Sequence, residues 1–383
     1  MEHIEPVEVP STVDRRGALG RISLGLAGGA LAAKHVSAAE PADRQPPSAA
    51  RAVRGRLKLG CQKRPTTAEG VQIWQRFGVT HVCGGPEPKN PKRGYWTVEE
   101  LPRVRDLCEA GKLTLAMMWE PFLHSSHIDT VDRPAIMLGK SPERDRDIEC
   151  FQKHIENCAA IGVKAVKYNL TVLGVPRTAR TAGRGGSSYS TWKLADAKKQ
   201  AEARISASRV TADVYWERIT YFLERVVPVA EQFKVRLACH PQDPGVPAGF
   251  QGVDAVLGTV DGLKRFVGIK ESRYHGLNFC QGTISEMLEK PGEEIYDVIR
   301  WFGTRGKIFN VHFRNIRGRR DDFQEVYPDE GDVDMWKAVR TYREVGYDGM
   351  LMYDHTPSAP GDTEANRAFA YGYIRALIQA AES

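Results

Sequence analysis

The amino-acid sequence predicts a (β/α)8 barrel, and three observations carry that prediction. Short apolar, β-rich runs alternate with amphipathic segments from Arg56 to the C-terminus, the pattern of parallel strands joined by helices. Eight such runs are legible. The last four each lead to a chemically reactive residue. Val235 to Pro244 (VRLACHPQDP) breaks off at His240, and Phe266 to Ile269 leads through a polar loop to Cys280. Ile308 to His312 (IFNVH) ends in a histidine, and Met350 to His355 (MLMYDH) ends in Asp354-His355. A closed barrel gathers the C-terminal ends of its strands at one face, where residues from successive strands converge. The alternative, a doubly wound open sheet, would set them in a row, and no glycine fingerprint follows the first strand.

Taken in order, Arg56 to Cys61 reads as the first strand, followed by a helix from an N-capping Thr67 to Phe77. Thr80 to Cys83 is the second strand. A helix opening at Thr97, with Glu99 and Glu100 in its first turn, runs to about Ala110. Leu113 to Met118 is the third strand, followed by a loop that holds His124 and His127. Arg144 to Ile161 is helical and Ala165 to Tyr168 is the fourth strand. Gly174 to Ala195 is rich in Gly, Arg and Ser, which reads as a lid or binding loop. A long helix from about Thr211 to Phe233 enters the fifth strand at Val235. Helices near Val253 to Lys264, Glu293 to Phe302, Asp334 to Val345 and Thr363 to Ala380 complete the alternation.

The chain has 383 residues, 42% hydrophobic and 27% charged, enough to build a large core. The formal charge of +6 is spread over scattered arginines, and no basic run interleaved with aromatics points to nucleic acid. Seven cysteines at irregular spacing, without a CxxC pair, do not make a disulfide framework. Most read as buried thiols, among them Cys83, Cys108 and Cys158.

Residues 1–45 have a different character. Arg15-Arg16-Gly17, a weakly apolar Ala18 to Ala33 and Ser37-Ala38-Ala39 have the form of a twin-arginine export signal, which predicts a periplasmic protein whose mature chain begins near Ala39. The apolar stretch is too short and too Gly-rich for a membrane span, and Ala39 to Ala52 reads as a linker. Residues 54–383 are then a single catalytic barrel.

His240, Cys280, His312 and Asp354 offer two imidazoles, a thiolate and a carboxylate, a first shell for a divalent transition ion. By softness alone the ion is zinc.

Five stretches, LACHPQDPG (237–245), GLNFCQGT (276–283), VHFRNIRG (311–318), GDVDM (331–335) and DGMLMYDH (348–355), resemble the mannonate dehydratase family, a branch of the xylose-isomerase-like barrels. The likeness runs from about Leu57 to the C-terminus and includes Lys167-Tyr168-Asn169 and the pairs Arg177-Thr178 and Arg180-Thr181. It implies a divalent ion, manganese above zinc, iron, cobalt or nickel, held by His240, Cys280, His312 and Asp354. It makes His355 an acid/base residue. It implies Arg177, Arg180, Lys167 and Asn169 as contacts for a small-molecule sugar acid or keto-sugar, and leaves open association into a homo-oligomer.

The chain also departs from the family. Met352-Tyr353 replaces an Arg-Pro pair, Thr356 a glycine, Gly84-Gly85-Pro86-Glu87 a histidine pair, and Asp362 a tyrosine.

Dehydration of a sugar acid removes the proton α to a carboxylate and expels the β-hydroxyl as water, so it needs charge stabilisation, a base and an acid. His355 takes one proton-transfer role; Tyr353, Tyr168 and Asp362 compete for the other. The altered surroundings of the ligands predict a preference for a substrate other than D-mannonate. A sugar isomerase or epimerase, or a lyase acting on an oxidised glycoside, is the alternative on the same barrel. It would want a glutamate at the end of the fourth strand, where Lys167-Tyr168-Asn169 stands. The complete ligand set beside His355 argues against a non-catalytic carbohydrate-binding protein.

Overall fold

The computed structural model describes residues 56–87, 90, 93–200, 209–359, 361 and 363–383. Its strands are, in chain order, Lys58–Gln62 (β1), His81–Gly84 (β2), Thr114–Trp119 (β3), Ala165–Asn169 (β4), Thr181–Ala182 (β5), Ser188–Lys193 (β6), Arg236–His240 (β7), His275–Cys280 (β8), Ile308–His312 (β9), Ile316–Arg319 (β10), Asp322–Glu325 (β11) and Met350–Met352 (β12). Eight of them close a parallel barrel in the order β1-β12-β9-β8-β7-β4-β3-β2. Helices on the outside cover it, as the alternating pattern predicts.

Local chemistry explains most boundaries. Thr67, Thr211, Thr259 and Asp334 each accept a backbone N–H from the first turn of the helix that follows, replacing a hydrogen bond the helix start lacks. The second helix begins at Leu101, later than expected, because Thr97 and Glu100 form the turn before it: the Thr97 N–H donates to Glu100 Oε2 at 2.9 Å.

Two expectations are corrected. Phe266 to Ile269 is not a strand but the last turn of helix Val260–Ile269, in which Leu263, Phe266 and Val267 share the buried face. A short apolar run is compatible with either element, and here the helical spacing wins. The sixth barrel strand is instead His275–Cys280, buried along its whole length despite His275, Gly276 and Asn278. Gly276 serves close approach, since a Cβ there would lie 2.7 Å from the Lys307 carbonyl and 2.8 Å from the Phe309 ring. The long segment after β4 is likewise not a free loop. Its β5 and β6 join β10 and β11 in a four-stranded antiparallel sheet, with Tyr189, Thr191 and Trp192 buried.

The barrel interior is graded. Toward its N-terminal end it is filled by Ala165, Ala238, Phe309, Met350 and their neighbours. Higher up it turns polar, and Asn310 Nδ2 donates to Asn278 Oδ1 at 2.6 Å. Apolar packing below gives the polar groups above a rigid floor. All seven cysteines are free thiols. Among the described residues no helix is long and apolar enough to cross a membrane.

Candidate metal centre

His240 closes β7, Cys280 closes β8, His312 closes β9, and Asp354 follows β12 by two residues. These four strands are neighbours in the barrel, so register brings the four side chains together. One donor atom from each lies within 4.8 Å of the others. His240, Cys280 and His312 are buried, and the Asp354 side chain is only 6% exposed.

Each donor is oriented by a neighbour. His240 Nδ1 lies 2.7 Å from the Pro241 carbonyl, which can only accept, so Nδ1 carries the proton and Nε2 the lone pair. Gln62 Oε1 accepts from Lys167 Nζ at 2.9 Å and from His312 Nε2 at 2.9 Å. That leaves His312 Nδ1 as the lone-pair nitrogen; it is buried without a hydrogen-bond partner and faces Asp354 Oδ2 at 3.5 Å. Cys280 Sγ receives the Thr283 hydroxyl at 3.1 Å, the Thr283 N–H at 3.4 Å and Arg314 Nη2 at 3.7 Å, surroundings that suit a thiolate.

Burial, and then the charge on Lys167, lowers His240 to about 4 and His312 to about 3, so both rings are neutral ligands at pH 7. Burial and then Asp354 raise the Cys280 thiol to about 12. Burial would also raise Asp354, but His355, Arg314 and His312 outweigh it and hold the carboxyl well below its usual range. Two neutral imidazoles, an ionised carboxylate and a sulfur that a cation would ionise fit a divalent transition ion.

A salt-bridge network that local sequence did not reveal supports this face. Arg314 is buried and reaches Glu286 at 2.8 Å, Glu325 at 3.0 Å, Asp243 at 3.1 Å and Asp354 at 3.3 Å. Arg177, expected to bind substrate, is part of the same network. Its Nη2 pairs with both Asp243 and Glu325, its Nε donates to Ser190 Oγ at 3.1 Å and its Nη1 to the Pro176 carbonyl at 3.0 Å. Its guanidinium is thus held within the protein by Asp243, Glu325, Ser190 and Pro176. Burial would raise Glu325, yet Arg314, His355 and Arg177 bring it down to about 2. Glu286, where burial and Asp243 prevail, is raised to about 8. Asp243, Glu325 and His355 also come within reach of one cation, but guanidinium groups already bridge these carboxylates. Asp243 and Arg314 stand inside the motifs that carry His240 and His312, the one signal by which they could have been found.

The other expected residues divide. His355 is 47% exposed, with Nδ1 2.9 Å from Glu325 Oε2 and Nε2 3.3 Å from Asp354 Oδ2. Burial opposes its charge, but Asp354 and Glu325 prevail and raise it to about 9. Beside it opens a cavity of about 340 Å³, lined among others by Gln62, Lys63, Tyr353, Ser358 and Arg367. Tyr353 packs on Tyr371 with centroids 4.7 Å apart, and burial raises its phenol to about 12, so it is a donor rather than a base near neutrality. Lys167 is buried with Nζ 4.1 Å from the centre of the Trp119 ring, and Asn169 pairs in register with His240. Arg180 is exposed and bound to Ser188, whose N–H donates to the Ser358 carbonyl at the cavity rim. Tyr168 is not at the site: its ring packs on Phe151 and Phe222, outside the barrel wall. Asp362 lies outside the described residues.

The family profile described as D-mannonate dehydratase (UxuA) matches residues 188–382, just over half of the chain. The mannonate dehydratase of Thermotoga maritima is 28% identical over 349 residues, covering 81% of this chain and 92% of that one. In structure, the chain resembles the mannonate dehydratase of Streptococcus suis serotype 2, with a TM-score of 0.71 at 22% identity, covering 85% of this chain and 95% of that one. It also resembles a xylose isomerase domain protein of Planctomyces limnophilus, with a TM-score of 0.55 at 14% identity, covering 86% and 99%. At these identities the structural likenesses speak for the fold, a xylose-isomerase-like barrel.

Proposed function

The chain belongs to the mannonate dehydratase family, and from that premise we propose that it is a metal-dependent sugar-acid dehydratase. This hydro-lyase would convert D-mannonate or a related aldonate to a 2-keto-3-deoxy acid and water. The observation that carries the reading is the convergence of His240, Cys280, His312 and Asp354 within 4.8 Å, beside His355. Manganese is the proposed ion. A divalent cation held by these four residues would supply Lewis-acid stabilisation of the charge that develops on the substrate when its α proton leaves.

The chain's own residues account for the proton transfers. The α C–H bond breaks, its electron pair becomes the new C=C bond, and the β C–O bond breaks as the hydroxyl is protonated; the resulting enol tautomerises to the keto acid. Both ring nitrogens of His355 face carboxylates, an arrangement that favours the imidazolium and supports His355 as the acid. Nδ1 stays on Glu325 at 2.9 Å, while Nε2, at the longer 3.3 Å contact, gives its proton to the leaving hydroxyl. Asp362, which lies outside the described residues, is proposed as the α-proton acceptor because it stands where the family has a tyrosine. Lys167 and Asn169 would position substrate oxygens next to the ligand residues, and Arg180, held on Ser188, would supply a further cation for the acid.

The test is turnover of D-mannonate and a panel of other aldonates by the metal-reconstituted chain, with the 2-keto-3-deoxy acid measured directly. His355→Gln is expected to lower turnover by about 10²- to 10⁴-fold while leaving metal content unchanged. Since the acid must be protonated, activity should fall at alkaline pH, the direction in which Asp354 and Glu325 extend the protonated range of His355. Glu325→Gln removes one of those charges and should move this alkaline limb to lower pH. A limb that stays in place would assign the acid to another group.

We also propose export. The support is the Arg15-Arg16 pair followed by the Ala- and Gly-rich stretch and Ser37-Ala38-Ala39; these residues lie outside the described ones. Changing Arg15 and Arg16 together to Lys should abolish export of a chain whose mature N-terminus lies near Ala39. Undiminished export of that variant would remove the proposal.

A further inference from the structure

The pole of the barrel opposite the metal centre holds a larger cavity, about 760 Å³. It opens at the N-terminal ends of the same strands whose C-terminal ends carry the ligands: Arg236 begins β7, Tyr274 precedes β8 and Lys307 precedes β9. Its lining carries Lys164, Lys234, Arg236, Arg273, Arg305 and Lys307 against the carboxylates of Glu271 and Asp348. Lys307 is buried, and its Nζ is tied to Glu271 at 2.7 Å and to the Ser272 carbonyl at 2.8 Å. Five cations therefore share the cavity with the one remaining carboxylate, Asp348. Lys164, Lys234 and Arg236 are exposed and make no ion pair with a carboxylate among the described residues.

We propose that this pole is a second binding site, specific for a small anion that bears two or more phosphate or carboxylate groups. The charge is concentrated: a cavity of this volume is about one Debye length across at physiological salt, so its cations act on one ligand together. A single exposed pair is worth little, which selects a multivalent ligand over a monovalent one. The concave shape and a volume within the range of small-molecule pockets select a compact ligand over a polymer. Arg236 and Arg273 supply planar forks that match the geometry of phosphate and carboxylate oxygens. Arg236 lies over the Phe309 ring at 5.5 Å and Arg273 over Tyr274 at 5.6 Å, contacts that favour extended guanidinium groups. The site is separate from the metal centre. Phe309, Ala238, Met350 and Met352 pack the barrel interior between the two, and the four-residue step from Arg236 to His240 spans about 13 Å of strand. The inference does not depend on the proposed dehydratase activity.

The experiment is titration calorimetry of the full chain with fructose 1,6-bisphosphate, the phosphate arm, and with tricarballylate, the carboxylate arm. Binding of at least one is expected at low salt, weakening roughly tenfold or more at physiological salt, as a site built on several cations requires. The arm that binds identifies the anion class. The double change Lys234→Glu and Arg236→Glu, at two exposed positions, should weaken that binding at least about tenfold. Lys234→Arg, which keeps the charge, should retain it, as should Lys153→Glu on the helix Glu143–Ala160. Failure of both ligands to bind at low salt, or equal binding by the charge-reversed variant, would overturn the site.

Discussion

Replacing Cys280 or His312 by Ala should strip the chain of its divalent ion and leave the barrel folded. The purified protein is expected to carry about one such ion per chain, since four preformed donors bind far more tightly than scattered surface groups. Loss of one donor from this set removes a quarter of the first shell. In the case of Cys280 it also removes the sulfur that Thr283 and Arg314 are arranged to stabilise as a thiolate. The fold should survive because barrel stability resides in the packed interior and the helical layer, not in the loops of the catalytic face. The measurement is metal content per chain by elemental analysis beside circular dichroism. Full occupancy in both variants would disprove the centre, and unfolding of both would show that the site holds the barrel together.

Arg314→Met should destabilise the protein by about 3–5 kcal/mol, the cost of removing one partner from a buried ionic network. Arg314 is the only side chain that touches Asp243, Glu286, Glu325 and Asp354 together among the described residues. Methionine fills comparable space, so the loss is electrostatic rather than a cavity. Arg177 remains to neutralise Asp243 and Glu325, while Glu286 and the ligand Asp354 lose their closest guanidinium. Arg314→Lys keeps the charge but not the planar fork and should fall between the two. Urea denaturation monitored by circular dichroism measures the difference. A loss below about 1 kcal/mol would mean that Arg177 and protonation of Glu286 absorb the change.

The barrel itself was legible because most of its strands announce themselves locally. IFNVH and RLACH are short, β-rich and bounded by polar turns, and such runs alternate with amphipathic helices whose starts are marked by Thr67, Thr211 and Asp334. His240 and His312 were legible for the same reason: each is the last residue of its strand. The sixth strand was not, since HGLNFC is interrupted by glycine and asparagine and hides behind the more apolar FVGI.

By itself the sequence determined the fold class and pointed to the four residues that converge and to His355 beside them, because each is marked by the few residues around it. Tertiary structure decided how the arginines are engaged within the protein. Arg177 meets Asp243 across 66 positions and Glu325 across 148, so its engagement follows only from barrel closure and from the pairing of β6 with β11. It also decided the parity of β4, which turns Lys167 inward to Gln62 and Tyr168 outward to Phe151 and Phe222. Side chains alternate along a strand with period two, and only the strand's place in the closed sheet says which face is inside.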